Sequence, residues 1–335
     1  MKFEVSICIP VFNMVDTIER ACISALGQKY SNFEVLVVDN CSTDGTYEKV
    51  SSIKDERLRV VRNSENIGAY GNHNECLRLA KGEWVKFLHG DDDLMLNCIK
   101  KMMLYQKNNC ANIGLIWCPA NKLSSSDRIL STTPAPEQTI LLNSAIPEKF
   151  VLEGNFVGTP SMVMLNRVYA LRLGGFDLTL NPYSDGDLWM KMLINYSSLY
   201  LSDPLVNIRD DEASTLKEEM NQIGFLLAIE KQIRKWGDIT TENYIKDKSI
   251  YNRWFYLEMF RYVKSSLYYT TKLQFKISYN LFCVLWRNKI FLQSILFFSL
   301  NFWKRDIRKH YWFETLDSSN VEEFVPKKNA CKYNI

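Results

Sequence analysis

Three consecutive aspartates, Asp91-Asp92-Asp93, follow the apolar run Trp84-Val85-Lys86-Phe87-Leu88-His89-Gly90. An unpaired carboxylate taken out of water is strongly disfavoured, and adjacent carboxylates add mutual repulsion. A hard divalent cation is the simplest means of keeping such a cluster ionised at the end of a strand. Magnesium and manganese prefer oxygen donors, and a phosphate commonly completes their coordination shell. The triplet therefore points to a metal that holds a phosphorylated substrate at the carboxyl edge of an α/β sheet. On the residues alone the alternative is a solvated acidic turn that caps the helix after it.

The elements around the triplet must place it at such an edge. Val5-Ser6-Ile7-Cys8-Ile9 reads as a buried strand ended by Pro10, and Asp16 with Glu19 has capping-box spacing ahead of a helix carrying Ile18, Ala21, Cys22, Ala25 and Leu26 on one face. Phe33 to Val38 is a second strand, ended by Asp39, with the loop Asn40-Cys41-Ser42-Thr43-Asp44-Gly45 behind it. Leu58 to Val61 is a third strand, Asn74 to Lys81 a helix stopped by Gly82, and Trp84 to Leu88 a fourth strand. Alternation of this kind predicts a parallel sheet with right-handed crossovers, whose ligands bind beyond the carboxyl ends of the strands. Asp39 and the triplet both belong to that edge.

These segments, taken in order, resemble the family 2 glycosyltransferases of the GT-A fold. The likeness is carried by Ser6-Ile7-Cys8-Ile9-Pro10-Val11-Phe12-Asn13, by Ser24-Ala25-Leu26-Gly27-Gln28, and by the run from Glu34 through Asp39 and Asp44 to Thr46. It continues through Asn66-Ile67-Gly68, Ala80-Lys81-Gly82-Glu83, the triplet, Gly174-Gly175-Phe176-Asp177 and Ser184-Asp185-Gly186-Asp187-Leu188-Trp189, covering about residues 4 to 210. The resemblance implies a central, mostly parallel, Rossmann-like sheet flanked by helices. The activity it implies is transfer of a sugar from a nucleotide, UDP above all, to a glycan or lipid-linked saccharide with inversion, assisted by Mn2+ or Mg2+.

The same resemblance assigns roles. Asp39 would accept the N–H of a uracil ring, Asp44 would lie near base or ribose, and Pro10, Asn13, Asn66 and Gly68 would line the nucleotide pocket. The family pattern at the metal is Asp-x-Asp-Asp, and His89 stands where its first Asp usually does. Asp91 then becomes the leading ligand with Asp92 beside it, while the register Asp91-x-Asp93 also fits. Many relatives place a metal-binding His after a strand ending in Arg; here Ile208-Arg209-Asp210-Asp211-Glu212 puts Asp211 there. Asp185 is the candidate general base, with Ser184 replacing the Glu that usually precedes it, and Asp187 supports the helix N-terminus. Trp189 reads as core. Gly154 to Ser161 is expected to form a loop on the acceptor side.

The rest of the chain narrows the class. The 335 residues are 47% hydrophobic, enough for one large domain with an extension. Nine cysteines without Cys-x-x-Cys spacing argue against a zinc or disulfide framework and for a reducing compartment. With no leader-like segment at Met1 to Val5, a cytoplasmic location is expected. The net charge of +3 is uneven: residues 250–313 hold 11 Lys/Arg against two acids and 20 of the 43 aromatic residues, leaving −6 on the remainder. A boundary near 236 divides a catalytic domain, 1–236, from a basic, aromatic, helical extension, 237–335. Within it Ile290 to Trp303 is largely apolar but too short to span a bilayer, and its flanks Arg287, Lys289, Lys304, Arg305, Arg308 and Lys309 suit the surface of an anionic membrane on the inner face of the cell. A core-packing or dimer-forming helical unit is the competing reading. No nucleic-acid module accompanies the charge. Gln232-Ile233-Arg234-Lys235-Trp236 approaches a motif of processive synthases but lacks their membrane spans. A nucleotidyltransferase would need a Gly-rich basic loop after the first strand, which Pro10-Val11-Phe12-Asn13 does not supply. A silent, nucleotide-sugar-binding scaffold protein is the non-enzymatic alternative.

Overall fold

A computed structural model describes residues 3–109, 112–124, 126–142, 155–181 and 183–209, together with the backbone of a strand at 321–323. The 250–313 stretch, Asp211 and the Gln232–Trp236 motif lie outside the described residues.

Strands β1 (Val5–Val11) and β2 (Phe33–Asp39) are buried along their whole lengths, as the near-continuous apolar runs of a parallel sheet covered on both faces must be. They pair in parallel with each other, β2 with β3 (Leu58–Arg62), and β1 with β4 (Trp84–Phe87). All four therefore point their carboxyl ends to one edge, as the alternation predicts. The sheet continues from β4 through β10 (Val163–Asn166), antiparallel to both neighbours, to β6 (Ile113–Trp117), then β11 (Ser197–Tyr200), β9 (Ile140–Leu142) and β13 (Val321–Glu323). Thus a strand from the C-terminal extension completes the far edge of the nine-stranded sheet. A second sheet of four strands orders β5 (Asp93–Leu94), β12 (Val206–Arg209), β7 (Ala120–Leu123) and β8 (Ile129–Thr132). Two apolar clusters fill the faces of the main sheet, one around Phe87, Trp117, Phe176 and Trp189, the other around Ile7, Phe33, Ile99 and Met164.

Helices α1 (Ile18–Leu26), α2 (Thr46–Ser51), α3 (Ala69–Leu79) and α4 (Cys98–Lys107) link the early strands; α5 (Arg167–Arg172) and α6 (Ser184–Asn195) follow β10. The expected Asp16–Glu19 capping box is not formed. The amides of Thr17 and Ile18 are satisfied instead by the Met14 carbonyl at 3.2 and 3.0 Å, and Glu19 faces Lys49 at 3.5 Å. α3 starts five residues earlier than its sequence pattern suggests, directly behind Gly68.

Gly82 was expected to stop that helix, yet α3 ends at Leu79, and Gly82 serves a different need. A Cβ there would lie 2.5 Å from the Ser6 amide nitrogen in β1. The same corner holds a buried polar knot, in which Ser6 Oγ donates to Glu34 Oε1 at 2.7 Å and Arg59 pairs with Glu34 at 3.1 Å. Overpacking of this kind costs roughly 1–3 kcal/mol. Gly82→Ala should therefore lower stability by about that amount in urea denaturation, with the slope of the transition unchanged.

Candidate active site

At the carboxyl edge, register places Asp39 at the end of β2 between Val11 of β1 and Arg62 of β3. Its carboxylate is fully buried: Oδ2 accepts from the Ser42 amide at 3.1 Å and faces Arg62 Nε at 3.3 Å, while Oδ1 has no partner among the described residues. An orphaned buried acceptor costs about 1–3 kcal/mol, a cost that a donor from outside the described residues would relieve.

The loops around it are tied together by side chains. Asn13, in the left-handed region at φ 52°, donates its amide to Ser42 Oγ and accepts from the Thr43 amide, both at 2.9 Å. Asp44 accepts from the Val15 amide at 3.0 Å and from the Thr46 amide and hydroxyl at 2.9 and 2.6 Å. Although burial works the other way, these hydrogen bonds hold the Asp44 carboxyl below its usual range. Asp44 is thus fully engaged in fastening the first loop to the second. Pro10 is buried inside β1 opposite Val38. Asn66 and Gly68 join a ladder of amides that sequence reasoning missed: Asn40 bonds to Asn66 Oδ1 at 2.8 Å, Asn63 to both Asn40 and Asn72 at 3.0 Å, and Asn72 to the Val38 carbonyl at 2.8 Å.

The triplet divides sharply. Asp93 begins β5, pairs opposite Asn207 and spends both oxygens on arginines, Arg20 at 3.0 Å and Arg209 at 2.6 Å. Asp93, expected as a metal ligand, is therefore not among the residues brought together. The donor atoms of His89, Asp91 and Asp92 are, all within 4.8 Å of one another. The triplet is also no helix cap, because α4 begins only at Cys98 with Asn97 at its N-cap.

Asp92 is 2% exposed; burial and then Asp91 push its carboxyl up to about 7, against relief from the Ser161 hydroxyl, the Arg209 amide and Lys86. Ser161, expected on an acceptor loop, instead lies fully buried beneath this cluster, accepting the His89 amide at 2.9 Å. Lys86, buried in β4, donates to the Ser161 and Phe87 carbonyls, and burial lowers its ammonium below the ordinary range. Burial likewise lowers the His89 imidazole, with Asp91 opposing and Lys86 reinforcing.

Asp185 lies in the first turn of α6. Burial raises its carboxyl to about 6, opposed by hydrogen bonds from the Gly186 amide at 2.7 Å and the Tyr70 hydroxyl at 3.3 Å. Tyr70, unmarked in the sequence, also starts a wall of rings. Its centroid is 5.9 Å from His73, which is 5.6 Å from His89, so a chain of ring contacts links the Asp185 partner Tyr70 to the His89 cluster. Phe176 packs behind it, 5.2 Å from His73 and 5.6 Å from Tyr70. Asn74 fixes Phe176 by bonding both its amide and its carbonyl, at 2.9 and 2.8 Å, which gives the Gly174-Gly175-Phe176 motif its place. His73 Nδ1 faces the Ala69 carbonyl at 2.8 Å and must carry the proton; Nε2 is buried without a partner among the described residues, and burial followed by His89 drives its pKa down to about 3. Asp187 pairs with Lys191 at 2.6 Å, and Trp189 is core, its indole N–H on the Gly158 carbonyl at 3.1 Å.

Residues 6–172 match the family model described as Glycosyl transferase family 2. An Escherichia coli protein described as UDP-Glc:alpha-D-GlcNAc-diphosphoundecaprenol beta-1,3-glucosyltransferase WfgD is 30% identical over 190 residues, 51% of this chain and 74% of its own. This chain belongs to glycosyl transferase family 2. It is a transferase enzyme on the GT-A fold. The Mycobacterium tuberculosis protein MT1568, uncharacterized, is 28% identical over 221 residues, 63% of this chain and 68% of its own. Among solved structures, S. aureus TarS 1-349 in complex with UDP-GlcNAc aligns with a TM-score of 0.61 at 18% identity, over 78% of this chain and 73% of TarS. That likeness extends to the fold.

The arginine clamp gives this glycosyltransferase a test that separates structure from chemistry. Arg209 is 7% exposed at its side chain and Asp93 13%. Removing one partner of a buried pair costs roughly 3–5 kcal/mol. Asp93→Ala should lose stability on about that scale in chemical denaturation, whereas Asp91→Ala should leave it within about 0.5 kcal/mol, as expected away from buried networks.

Proposed function

We propose that this glycosyltransferase moves a sugar from UDP to a hydroxyl of a lipid-linked saccharide in a single inverting displacement, with Asp185 as the base. The carrying observation is Asp185 itself: a carboxylate with its pKa raised to about 6, held by Tyr70 on the ring wall that leads to His89. A base works best when its pKa lies near the operating pH, and Asp185 meets that condition. Tyr70 orients the carboxylate through Oδ1, and in this proposal Oδ2 has the task of accepting the proton of an acceptor hydroxyl. The lone-pair geometry of Asp39 Oδ1 suits the uracil N–H, which supports UDP as the nucleotide. The E. coli relative, described by a UDP-Glc donor and a diphosphoundecaprenol-linked GlcNAc acceptor, supports the same classes of substrate.

The donor set fits a divalent ion. His89, Asp91 and Asp92 converge at the strand end, and Asp92 is a buried carboxylate short of positive charge. We place the ion there in place of the Asp91–Asp93 register; Asp211 remains a proposed distant contributor. When bound, the ion neutralises the charge that develops on the departing diphosphate. The amide ladder and the Asn13 and Asp44 fastenings then hold the nucleotide loops around β1, β2 and β3. Asp185→Asn should abolish transfer while UDP affinity in isothermal titration stays within about twofold. Wild-type kcat should fall roughly tenfold per pH unit below about pH 6, because the protonated carboxyl cannot accept the proton, and level off above it. Loss of UDP binding in Asp185→Asn, or an acid limb far from 6, would remove Asp185 from this role.

No helix among the described residues is long and apolar enough to cross a membrane. We assign residues 237–320, ahead of the strand at 321–323, to docking on an anionic bilayer, the place where a lipid-linked acceptor resides; the cluster Lys304, Arg305, Arg308 and Lys309 supports this through its charge. Replacing these four by Gln in the full chain should release it from anionic vesicles in co-sedimentation. Unchanged binding would favour an internal packing role.

A further inference from the structure

Resting on the proposed ion site, we infer that His89 supplies a nitrogen donor to the ion and makes the site select a transition-series ion such as Mn2+ or Co2+ over Mg2+. Three donors are needed to hold an ion firmly, and an all-carboxylate set is not on offer among the described residues. Asp93 is turned away into β5 and taken by Arg20 and Arg209 at 3.0 and 2.6 Å. The third donor that does converge with Asp91 and Asp92 is the imidazole.

The spacing suits shared coordination. His89 Nδ1 lies 3.8 Å from Asp92 Oδ2, and the whole trio is within 4.8 Å. Neighbouring donors about 2.0–2.2 Å from one ion stand about 3 Å apart, so His89 and Asp92, now 3.8 Å apart, draw together by somewhat less than about 1 Å when an ion binds.

His89 is also held as a ligand should be. Its amide is anchored on Ser161 Oγ at 2.9 Å, and the same buried hydroxyl bonds the Asp92 carboxylate, so one side chain sets the backbone of one donor and the carboxylate of another. On its other side the imidazole stands edge-on to His73, 5.6 Å between centroids at 86°, and His73 is pinned by the Ala69 carbonyl at 2.8 Å. Ser161 and His73 are positioning residues for this donor.

The selectivity follows from donor chemistry. Mg2+ takes oxygen ligands and gives up water reluctantly. Mn2+ also prefers oxygen, but affinity for a nitrogen-bearing site rises along the first transition series from Mn2+ to Co2+ and beyond, a series to which Mg2+ does not belong. Exchanging one oxygen position for nitrogen therefore weakens Mg2+ relative to Mn2+ and Co2+.

The test uses the full-length protein with UDP. Pulsed electron paramagnetic resonance of the Mn2+ complex should show 14N hyperfine coupling from one imidazole, lost in His89→Asp and unaffected by His73→Phe. Mn2+ affinity from the free-ion signal, with Mg2+ as competitor, should give a Mg2+/Mn2+ dissociation-constant ratio at least tenfold smaller in His89→Asp than in wild type. The wild-type nitrogen coupling needs no variant and so survives any folding defect in either. Tight Mn2+ binding without nitrogen coupling, or with an unchanged ratio in a folded His89→Asp, overturns the inference and leaves the ion site standing. Absence of Mn2+ uptake with UDP present overturns the ion site itself.

Discussion

A carboxylate drawn out of water has to be given hydrogen-bond donors or positive charge, and the carboxyl edge of this sheet is organised around that requirement. Asp39 is met by Ser42 and Arg62 on one oxygen, Asp93 by two arginines, Asp185 by a helix amide and a tyrosine. Where compensation is complete, as at Asp44 and Asp93, the side chain fastens loops and sheets. Where it falls short, as at Asp39 Oδ1, Asp92 and Asp185, the shortfall is what a ligand, an ion or a proton can fill. Degree of compensation therefore sorts acids of identical chemistry into structural and reactive ones.

The ring wall joins two parts of the site that come from distant stretches of chain. Tyr70 and His73 share one face of α3, and both look towards elements that arrive much later, α6 through Asp185 and the Gly174-Gly175-Phe176 turn through Asn74. A single early helix thus carries contacts to both Asp185 and His89. The helix is itself located by the amide ladder at its N-terminus, so the loops after β2 and β3 and the placement of Asp185 share one support.

Much of this was readable in the residues because buried parallel strands leave unbroken apolar runs, with β2 ending at Asp39 and β4 running out shortly before the triplet. The triplet's place at the carboxyl edge followed from that alternation. Its division of labour did not. Asp93 is claimed by Arg20 and Arg209, 73 and 116 positions away, and no local pattern marks such partners. Ser161 looked like a loop residue and is a buried support, since its role depends on β10 lying beside β4. His73 carried no signal beyond lying three residues from Tyr70. Gly82 was legible as a glycine that mattered, but for the wrong reason: close approach to β1 is invisible until β1 is placed. The Asp16–Glu19 spacing matched a capping box, and the Met14 carbonyl took over that task.

The last strand of the main sheet has a consequence for how the chain is made. β9 is flanked by β11 on one side and by β13 on the other, and residues 321–323 leave the ribosome about 180 residues after β9 does. Through most of synthesis β9 offers a row of unpaired amides and carbonyls, the kind of edge that invites pairing with other chains. Closing it requires a contact of very long sequence separation, which is slow to form. The nascent enzyme therefore passes through a stage in which its β1-to-β4 half is complete while its opposite margin is still sticky, and a chain released short of residue 321 keeps that margin open for good.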